Sequence, residues 1–260
     1  MRGGPWEMSL FFLNKNDPKL TSSGPFAPFS FGHFVILVLA FVLICLMLRA
    51  ARRRPRRTRR RWLYTGYGVM ILLNTARLVW ELSVDEFSWQ QSLPLQLCGI
   101  QMFLIPIALF GKGKTSSFVR ECVFAYGIVG FVLALLVPFT TLFHYPLMHF
   151  RSLQSFAYHT TLGFVCLMLP QTGFAPHVKN ANKAFAVLMA SAAATSLLNF
   201  LIGSNYLYTA RLPLPTQPIP WPYYIPLLGG FMFLLGRVPY HIAAAVQNKT
   251  LSKHKNMPSH

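Results

Sequence analysis

Acidic residues are scarce in this chain. Only 6 of its 260 residues are Asp or Glu, against 24 Lys and Arg, and the net charge is +18. Charged residues make up 12% of the chain, whereas a typical soluble domain carries about 25%. A soluble protein would also have to bury uncharged stretches such as 34–48. The composition therefore excludes a disordered chain and a coiled coil, and it predicts a polytopic membrane protein.

Cysteine is also scarce, and no CxxC pair occurs. The four cysteines are Cys45, Cys98, Cys122 and Cys166. This number and spacing exclude a small disulfide scaffold and do not match a zinc site. Four of the eight histidines would be enough for a metal site, but their spacing forms no motif. They are His33, His144, His149 and His159. The sequence therefore predicts neither a bound metal nor another cofactor.

Long apolar segments indicate an all-α fold, because a membrane-spanning helix needs roughly 17–25 mostly apolar residues. We predict seven spans, at 31–48, 63–82, 93–110, 119–137, 152–170, 183–202 and 220–237. Residues 1–30 then form an N-terminal segment outside the cytoplasm, 31–237 the transmembrane domain and 238–260 a basic tail. The protein is accordingly expected in the cell membrane as a multi-pass protein. Nothing in the sequence indicates an oligomeric state.

The distribution of basic residues predicts the orientation. Eighteen Lys and Arg fall in the connections and tail on one side of the seven spans, and five fall on the other side. Short basic connections stay in the cytoplasm. This difference predicts an N-terminus outside the cell and a C-terminus in the cytoplasm.

Nine arginines between Arg49 and Arg61 dominate the predicted cytoplasmic side. A nucleic-acid site is not expected here, because the loop has no interleaved aromatic residues to stack on bases. A short cytoplasmic loop of this kind holds the topology and contacts anionic lipid headgroups, at about 1 kcal/mol per basic residue. The expected partners are therefore membrane phospholipids.

Polar residues inside the spans concentrate near the outer ends. A rise of 1.5 Å per residue places them within about 5–12 Å of the outer boundary. They are Asn74, Arg77 and Glu81 on span 2, Cys98 and Gln101 on span 3, Arg151, Ser155 and His159 on span 5, Asn199 on span 6, and His33 and Tyr223 at the starts of spans 1 and 7. Since polar groups in a membrane are costly and often functional, this pattern predicts a polar cavity open to the outer side. The alternative is that these groups bond to one another and hold the helices together, for instance Arg77 with Glu81 at i, i+4.

A Cys and a His at matching depth suggest a nucleophile and its base. In such a pair the imidazole takes the thiol proton and the thiolate attacks. Arg77, Asn74 or Asn199 would then stabilise an oxyanion. Cys98 is equally consistent with a small apolar residue in a helix contact, and His159 with a structural hydrogen-bonding group.

Five short strings occur in a recognisable order. They are FSFGHF at span 1, LPLQLC at span 3, YPLMHFRSLQSFAYHTTL leading into span 5, then SNYLY, and PWPYY at span 7. Over residues 28–240 their order and spacing resemble the bacterial YwaF-type integral membrane proteins, which are related to the vertebrate transmembrane protein 164.

The resemblance implies, from the vertebrate relative, an acyltransferase that moves fatty acyl chains onto ether-linked phospholipids and uses a Cys nucleophile and a His. The family is also similar in plan to the androgen-induced membrane hydrolases, which cleave lipid esters. By motif, the nucleophile matches Cys98 in LPLQLC and the catalytic His matches His159 in FAYHTTL.

Two functions remain open at this stage, besides a third in which the protein is an assembly or sensor partner without a ligand. The first is a membrane-embedded lipid acyltransferase or acyl hydrolase with Cys98 and His159 as catalytic residues. The substrate would be held by Arg77, Asn74, Asn199, Gln101, His33 and Tyr223. The second is a non-enzymatic protein that binds or transports a small solute or lipid. Against transport, the cytoplasmic halves of the spans offer no polar path, and transporter sites usually lie near the midplane.

Overall fold

The structure is a computed structural model that describes residues 10–23, 27–138, 144–212, 218–221 and 223–255. These residues form helices and connections and contain no β-strand. The α-helices are α1 (Pro18–Ser23), α2 (Phe31–Arg52), α3 (Arg56–Ser83), α4 (Leu97–Phe110), α5 (Gly113–Cys122), α6 (Ile128–Leu136), α7 (Phe150–Met168), α8 (Ala181–Ile202) and α9 (Tyr224–Lys255). A π-helical turn, Val123–Gly127, joins α5 to α6. The predicted all-α fold is confirmed.

A helix occupies each of the seven predicted span positions. Four helical stretches are long and apolar enough to cross a membrane: Phe31–Arg52, Gly113–Leu136, Val178–Ile202 and Tyr224–Gln247. The number of seven spans and the orientation of the termini stay predictions. Helix α9 continues beyond the predicted span end at 237 to Lys255, so no helix boundary separates the predicted basic tail.

Helix α4 is shorter than the predicted span 93–110. Its 14 residues cover about 21 Å at 1.5 Å per residue, which is less than the roughly 30 Å hydrocarbon core. Residues 84–96, here the α3–α4 loop, are non-helical. A Cβ on Gly99 would lie 2.6 Å from the backbone of Pro94, so the absence of a side chain lets this loop fold back onto the first turn of α4. Cys98 lies in that turn.

Helix α7 lies at the centre and packs against α2, α3 and α6. Its contacts are close because glycines face larger side chains. A Cβ on Gly66 of α3 would lie 2.8 Å from Val165, and one on Gly163 would lie 2.9 Å from Phe131 of α6. Helix α7 is therefore buried along most of its length and supplies fixed positions for its polar residues.

Two arginines of the basic 49–61 segment, which the structure places in the first turns of α3 rather than in a loop, bind the 3-10 turn Leu169–Thr172 that continues α7. Arg56 donates to the carbonyl of Thr172 at 2.6 Å, and Arg59 donates to that of Gln171 at 2.6 Å. Cations at a helix C-terminus stabilise the free carbonyls there. These two side chains therefore hold the chain together, and contact of the remaining arginines with anionic headgroups stays a prediction.

Candidate active site

A cavity of about 460 Å³ opens between α3, α4 and α7, beneath the loops that precede α4 and follow α8. We call it the outer cavity. Seven of the eleven polar residues predicted near the outer ends of the spans line it together: Asn74, Arg77, Glu81, Cys98, Arg151, Ser155 and His159. The expected clustering of polar groups is therefore present for these seven.

Cys98 is the second residue of α4, and its position leaves backbone donors free. Gln96 occupies the N-cap without a side-chain hydrogen bond to the helix. The first intrahelical bond runs from the N–H of Ile100 to the carbonyl of Gln96 at 2.9 Å. Among the described residues, the N–H groups of 97, 98 and 99 have no acceptor, as is usual for the first turn of an uncapped helix. The positive end of the helix dipole also favours negative charge at this turn.

Two further contacts fix the turn that carries Cys98. The hydroxyl of Tyr158 on α7 donates to the carbonyl of Cys98 at 3.1 Å. The Cys98 sulfur lies 3.0 Å from the place a Cβ on Gly130 of α6 would take. The thiol therefore sits where α4 meets α6, with α7 holding its backbone.

His159 is held in one tautomer. Its Nδ1 lies 2.7 Å from the carbonyl oxygen of Ser155, one turn earlier on α7. A carbonyl only accepts, so Nδ1 carries the proton and donates. Nε2 is then the basic nitrogen, and among the described residues it has no hydrogen-bond partner. Since His159 lines the outer cavity, this is the state required of a general base.

A charged cluster forms one wall of the cavity. Arg77 donates to both carboxylate oxygens of Glu81, at 2.9 and 3.1 Å, and Arg151 lies 3.4 Å from the same carboxylate. The side chains are 12%, 6% and 16% exposed for Arg77, Glu81 and Arg151. Two cations against one carboxylate leave a net positive charge in a poorly solvated place, which favours an anionic ligand.

Arg77 also shapes the α3–α4 loop. It donates to the side-chain oxygen of Asn74 at 3.3 Å and to the carbonyl of Ser92 at 2.7 Å. The predicted i, i+4 pair with Glu81 is therefore present, and Asn74 orients the same guanidinium. Arg77 therefore contributes a positive charge to the cavity and also holds the α3–α4 loop through Ser92.

The mouth of the cavity contains a second carboxylate. Glu86 accepts from the backbone N–H of Lys15 at 2.6 Å and from the hydroxyl of Tyr145. Burial and this hydrogen bond raise the pKa of the Tyr145 phenol. The lining contains four cations and two carboxylates: Lys15, Arg77, Arg151, Arg211, Glu81 and Glu86. The outer cavity is therefore net positive.

The segment after α8 forms the opposite wall and is tied to the α3–α4 loop. Gln96 accepts from the N–H of Leu207 at 3.0 Å and donates to the carbonyl of Asn205 at 3.4 Å. The Tyr206 hydroxyl accepts from the N–H of Leu93 at 3.1 Å and donates to the carbonyl of Trp89 at 2.7 Å. These bonds place the two loops edge to edge over Cys98.

The other four predicted substrate-binding residues lie outside the cavity lining. Asn199 is 5% exposed and bonds to the loop that follows its own helix, including the carbonyl of Tyr206 at 2.8 Å. Gln101 is buried one turn below Cys98. Their roles at a substrate stay predictions, but the contacts of Asn199 account for it as a structural residue.

His33 and Tyr223 are farther from the site. His33 is fully buried, and its Nε2 lies 2.8 Å from the carbonyl of Leu135, which ties α2 to α6. Tyr223 is 71% exposed at the start of α9. Helix depth from sequence does not say which side of each helix faces the cavity.

Several lining residues were not assigned a role from the sequence. Arg151 belongs to the same helix as His159, and the structure shows that its guanidinium completes the charged cluster at Glu81. Tyr208 lines the cavity from the SNYLY string. The only indication of a role for Tyr208 in the sequence is that this string contributes to the family resemblance. A loop residue has no periodicity that predicts the direction of its side chain. Among the described residues, no three His, Cys, Asp or Glu side chains are grouped as metal ligands.

Comparison with known proteins identifies the family of the chain. No curated protein and no solved structure matches the chain. The family model described as the TMEM164 family matches residues 28–238, which includes α2 to α8 and most of the outer cavity. The chain therefore belongs to the TMEM164 family of membrane proteins.

Proposed function

We propose that this protein is a membrane-embedded lipid acyltransferase or acyl hydrolase, with Cys98 as nucleophile and His159 as general base. The observation that carries the proposal is that both residues line one polar cavity, while Nε2 of His159 has no hydrogen-bond partner in the part of the chain that the structure describes. The resemblance to the acyl-transferring vertebrate relative supports the same chemistry. The proposal keeps the predicted topology of seven spans in the cell membrane, with the cavity on the outer side.

In the first half-reaction, Nε2 of His159 takes the thiol proton and the Cys98 sulfur attacks the carbonyl carbon of a fatty acyl ester. The tetrahedral intermediate collapses as the carbon–oxygen ester bond breaks. The electron pair stays on the glycerol oxygen, which takes the proton from the imidazolium. The products are a Cys98 thioester and a lysophospholipid.

In the second half-reaction, water or the hydroxyl of another lysophospholipid attacks the thioester. His159 Nε2 takes the attacking proton and returns it to the departing sulfur. Water gives a free fatty acid, and a lysophospholipid gives a new phospholipid. The same two residues therefore serve both the hydrolase and the acyltransferase.

Polar groups next to Cys98 suit the negative charges of the reaction. The N–H groups of 97, 98 and 99, which have no acceptor among the described residues, suit an oxyanion formed at Cys98. The cluster of Arg77, Glu81 and Arg151 suits the phosphate of a phospholipid headgroup, because guanidinium groups bind phosphate through paired donors.

The alternative is a protein that binds a lipid or anionic solute without changing it. The packing of the Cys98 sulfur at Gly130 favours this alternative, since a thiol packed against glycine also fits a purely structural role. The cationic cavity would then hold a headgroup alone.

An assay of the purified protein in mixed micelles distinguishes the enzyme from the binding protein. The micelles contain a phosphatidylcholine and a lysophospholipid acceptor. We expect acyl transfer or release, detected by lipid mass spectrometry, to be lost in Cys98→Ala and in His159→Gln. The matched control is Cys45→Ala, which removes an exposed cysteine and should keep full activity. Turnover that survives in Cys98→Ala would refute the proposal. Binding of the phospholipid without turnover in the wild type would favour the alternative.

A further inference from the structure

Tyr208 is a further polar residue of the outer cavity that the proposed chemistry has not used. It lies on the described segment after α8 and lines the same cavity as Cys98 and His159. This segment covers the first turn of α4 through the bonds of Gln96 to residues 205 and 207. Tyr208 therefore belongs to the segment that is bonded to the start of α4, next to Cys98.

The phenol hydroxyl of Tyr208 has no hydrogen-bond partner among the residues the structure describes. A largely enclosed tyrosine hydroxyl normally finds one. Its neighbour Tyr206 follows that rule and bonds to Leu93 and Trp89. The Tyr208 hydroxyl is therefore available to donate a hydrogen bond to a ligand in the cavity.

The backbone at Tyr208 is held in an uncommon conformation. Both Leu207 and Tyr208 have φ of 54°, in the left-handed region that costs non-glycine residues about 1–3 kcal/mol. The hydroxyl of Tyr224 donates to the carbonyl of Tyr208 at 3.1 Å, and Asn199 accepts from the N–H of Tyr206 at 2.8 Å. These bonds hold the backbone that carries the Tyr208 side chain.

The phenol also keeps its proton at neutral pH. Burial, and then the charge of a Cys98 thiolate, raise the pKa of Tyr208 to about 12. Such a group donates a hydrogen bond and does not give up its proton.

We propose that Tyr208 is a catalytic residue whose hydroxyl donates a hydrogen bond to the oxyanion formed when Cys98 attacks a lipid ester. This inference rests on the proposed function of Cys98 and His159. As sulfur adds to the carbonyl carbon, the carbonyl π electrons move onto oxygen, and the Tyr208 hydroxyl and the free N–H groups of α4 stabilise that charge. The phenol proton stays on Tyr208, and His159 carries all the proton transfer.

The test is Tyr208→Phe, which removes one oxygen and leaves the ring and backbone in place. The matched control is Tyr64→Phe, since Tyr64 is 40% exposed and stacks on Phe110 away from the cavity lining. Two reactions of Cys98 are compared in each protein. Phospholipid deacylation passes through an oxyanion, whereas alkylation by iodoacetamide does not.

We expect deacylation by Tyr208→Phe to have a kcat about 100-fold below wild type, since one lost oxyanion donor costs 10²–10³. The KM, the rate of Cys98 alkylation and the melting temperature should match wild type and Tyr64→Phe. Deacylation within twofold of wild type, with Cys98→Ala inactive, would overturn the role of Tyr208 and leave the proposed function standing. Equal losses of alkylation and deacylation would make Tyr208 a structural residue and also overturn its proposed role. Full deacylation by Cys98→Ala would overturn both proposals.

Discussion

Glu81 is the carboxylate that separates two largely buried arginines at the outer cavity, and Glu81→Gln removes its charge with little change of shape. Arg77 and Arg151 lie 2.9 and 3.4 Å from it. Unit charges about 3 Å apart attract by about 5 kcal/mol at an effective dielectric constant of about 20, before desolvation is counted. Removing one partner of a buried pair costs about 3–5 kcal/mol net, because the remaining charge has no counterion.

The expected result is a lower melting temperature in detergent micelles. For a chain of this length, 3–5 kcal/mol corresponds to a fall of about 6–10 °C by the entropy scale of globular proteins. The matched control is Asp85→Asn. Asp85 is exposed with φ of 57°, a conformation that asparagine adopts readily. This control removes the same charge four residues away and should shift the melting temperature by under about 2 °C, as surface changes usually do.

A double variant completes the test. Adding Arg151→Gln to Glu81→Gln removes one of the two uncompensated cations, so part of the lost stability should return. The reasoning is wrong if Glu81→Gln has the same melting temperature as the Asp85→Asn control. It is also wrong if the stability loss of the double variant equals the sum of the losses of the two single variants, because the three side chains then do not act as a coupled cluster.

Three further predictions concern the framework of the site. Asn199→Ala should lower the free energy of unfolding by about 1–3 kcal/mol, because it removes the acceptor of the buried Tyr206 N–H and one of the donors to the Tyr206 carbonyl; an unchanged thermal melt would contradict this. Gly127→Ala should cost about 1–3 kcal/mol by overpacking, because its Cβ would lie 2.3 Å from the sulfur of Cys166, while Gly229→Ala, with nothing within 4 Å, should melt at or above wild type. Burial lowers the pKa of His149, so the folded state favours the neutral ring and stability should fall as pH drops below the unfolded value of about 6.5. His149→Gln should flatten that part of a stability–pH curve, and an unchanged slope would refute the assignment.

Much of the architecture is predictable from the sequence because uncharged stretches of span length have few alternatives to a membrane helix. The apolar runs gave a helix at every predicted position. The short α4 is the exception. Leu93 and Leu95 are apolar, but Pro94 and the close approach of Gly99 to it favour a turn, which an average hydropathy does not detect. The π-helical turn at 123–127 likewise depends on packing against other helices, and no local pattern marks it.

The sequence predicts the direction of only some of the candidate site residues. Helix rise predicts one layer for Cys98, His159 and Asn199, and only the first two of these line the cavity. Rotation of a helix about its axis is decided by its neighbours, and α8 turns Asn199 toward its own C-terminal loop. Tyr208 could not be placed from the sequence, because a loop residue with positive φ is positioned by hydrogen bonds from distant segments.

The central claim is that Cys98 carries the acyl group, and trapping of the intermediate tests it most directly. Wild-type protein mixed with a phosphatidylcholine of known acyl chain is quenched in acid within seconds and digested for mass spectrometry. We expect the Cys98 peptide to gain the mass of that acyl chain through a bond that hydroxylamine cleaves, and His159→Gln to show none. Lipid turnover with no acyl group on Cys98, or with the acyl group on another residue, would contradict the account.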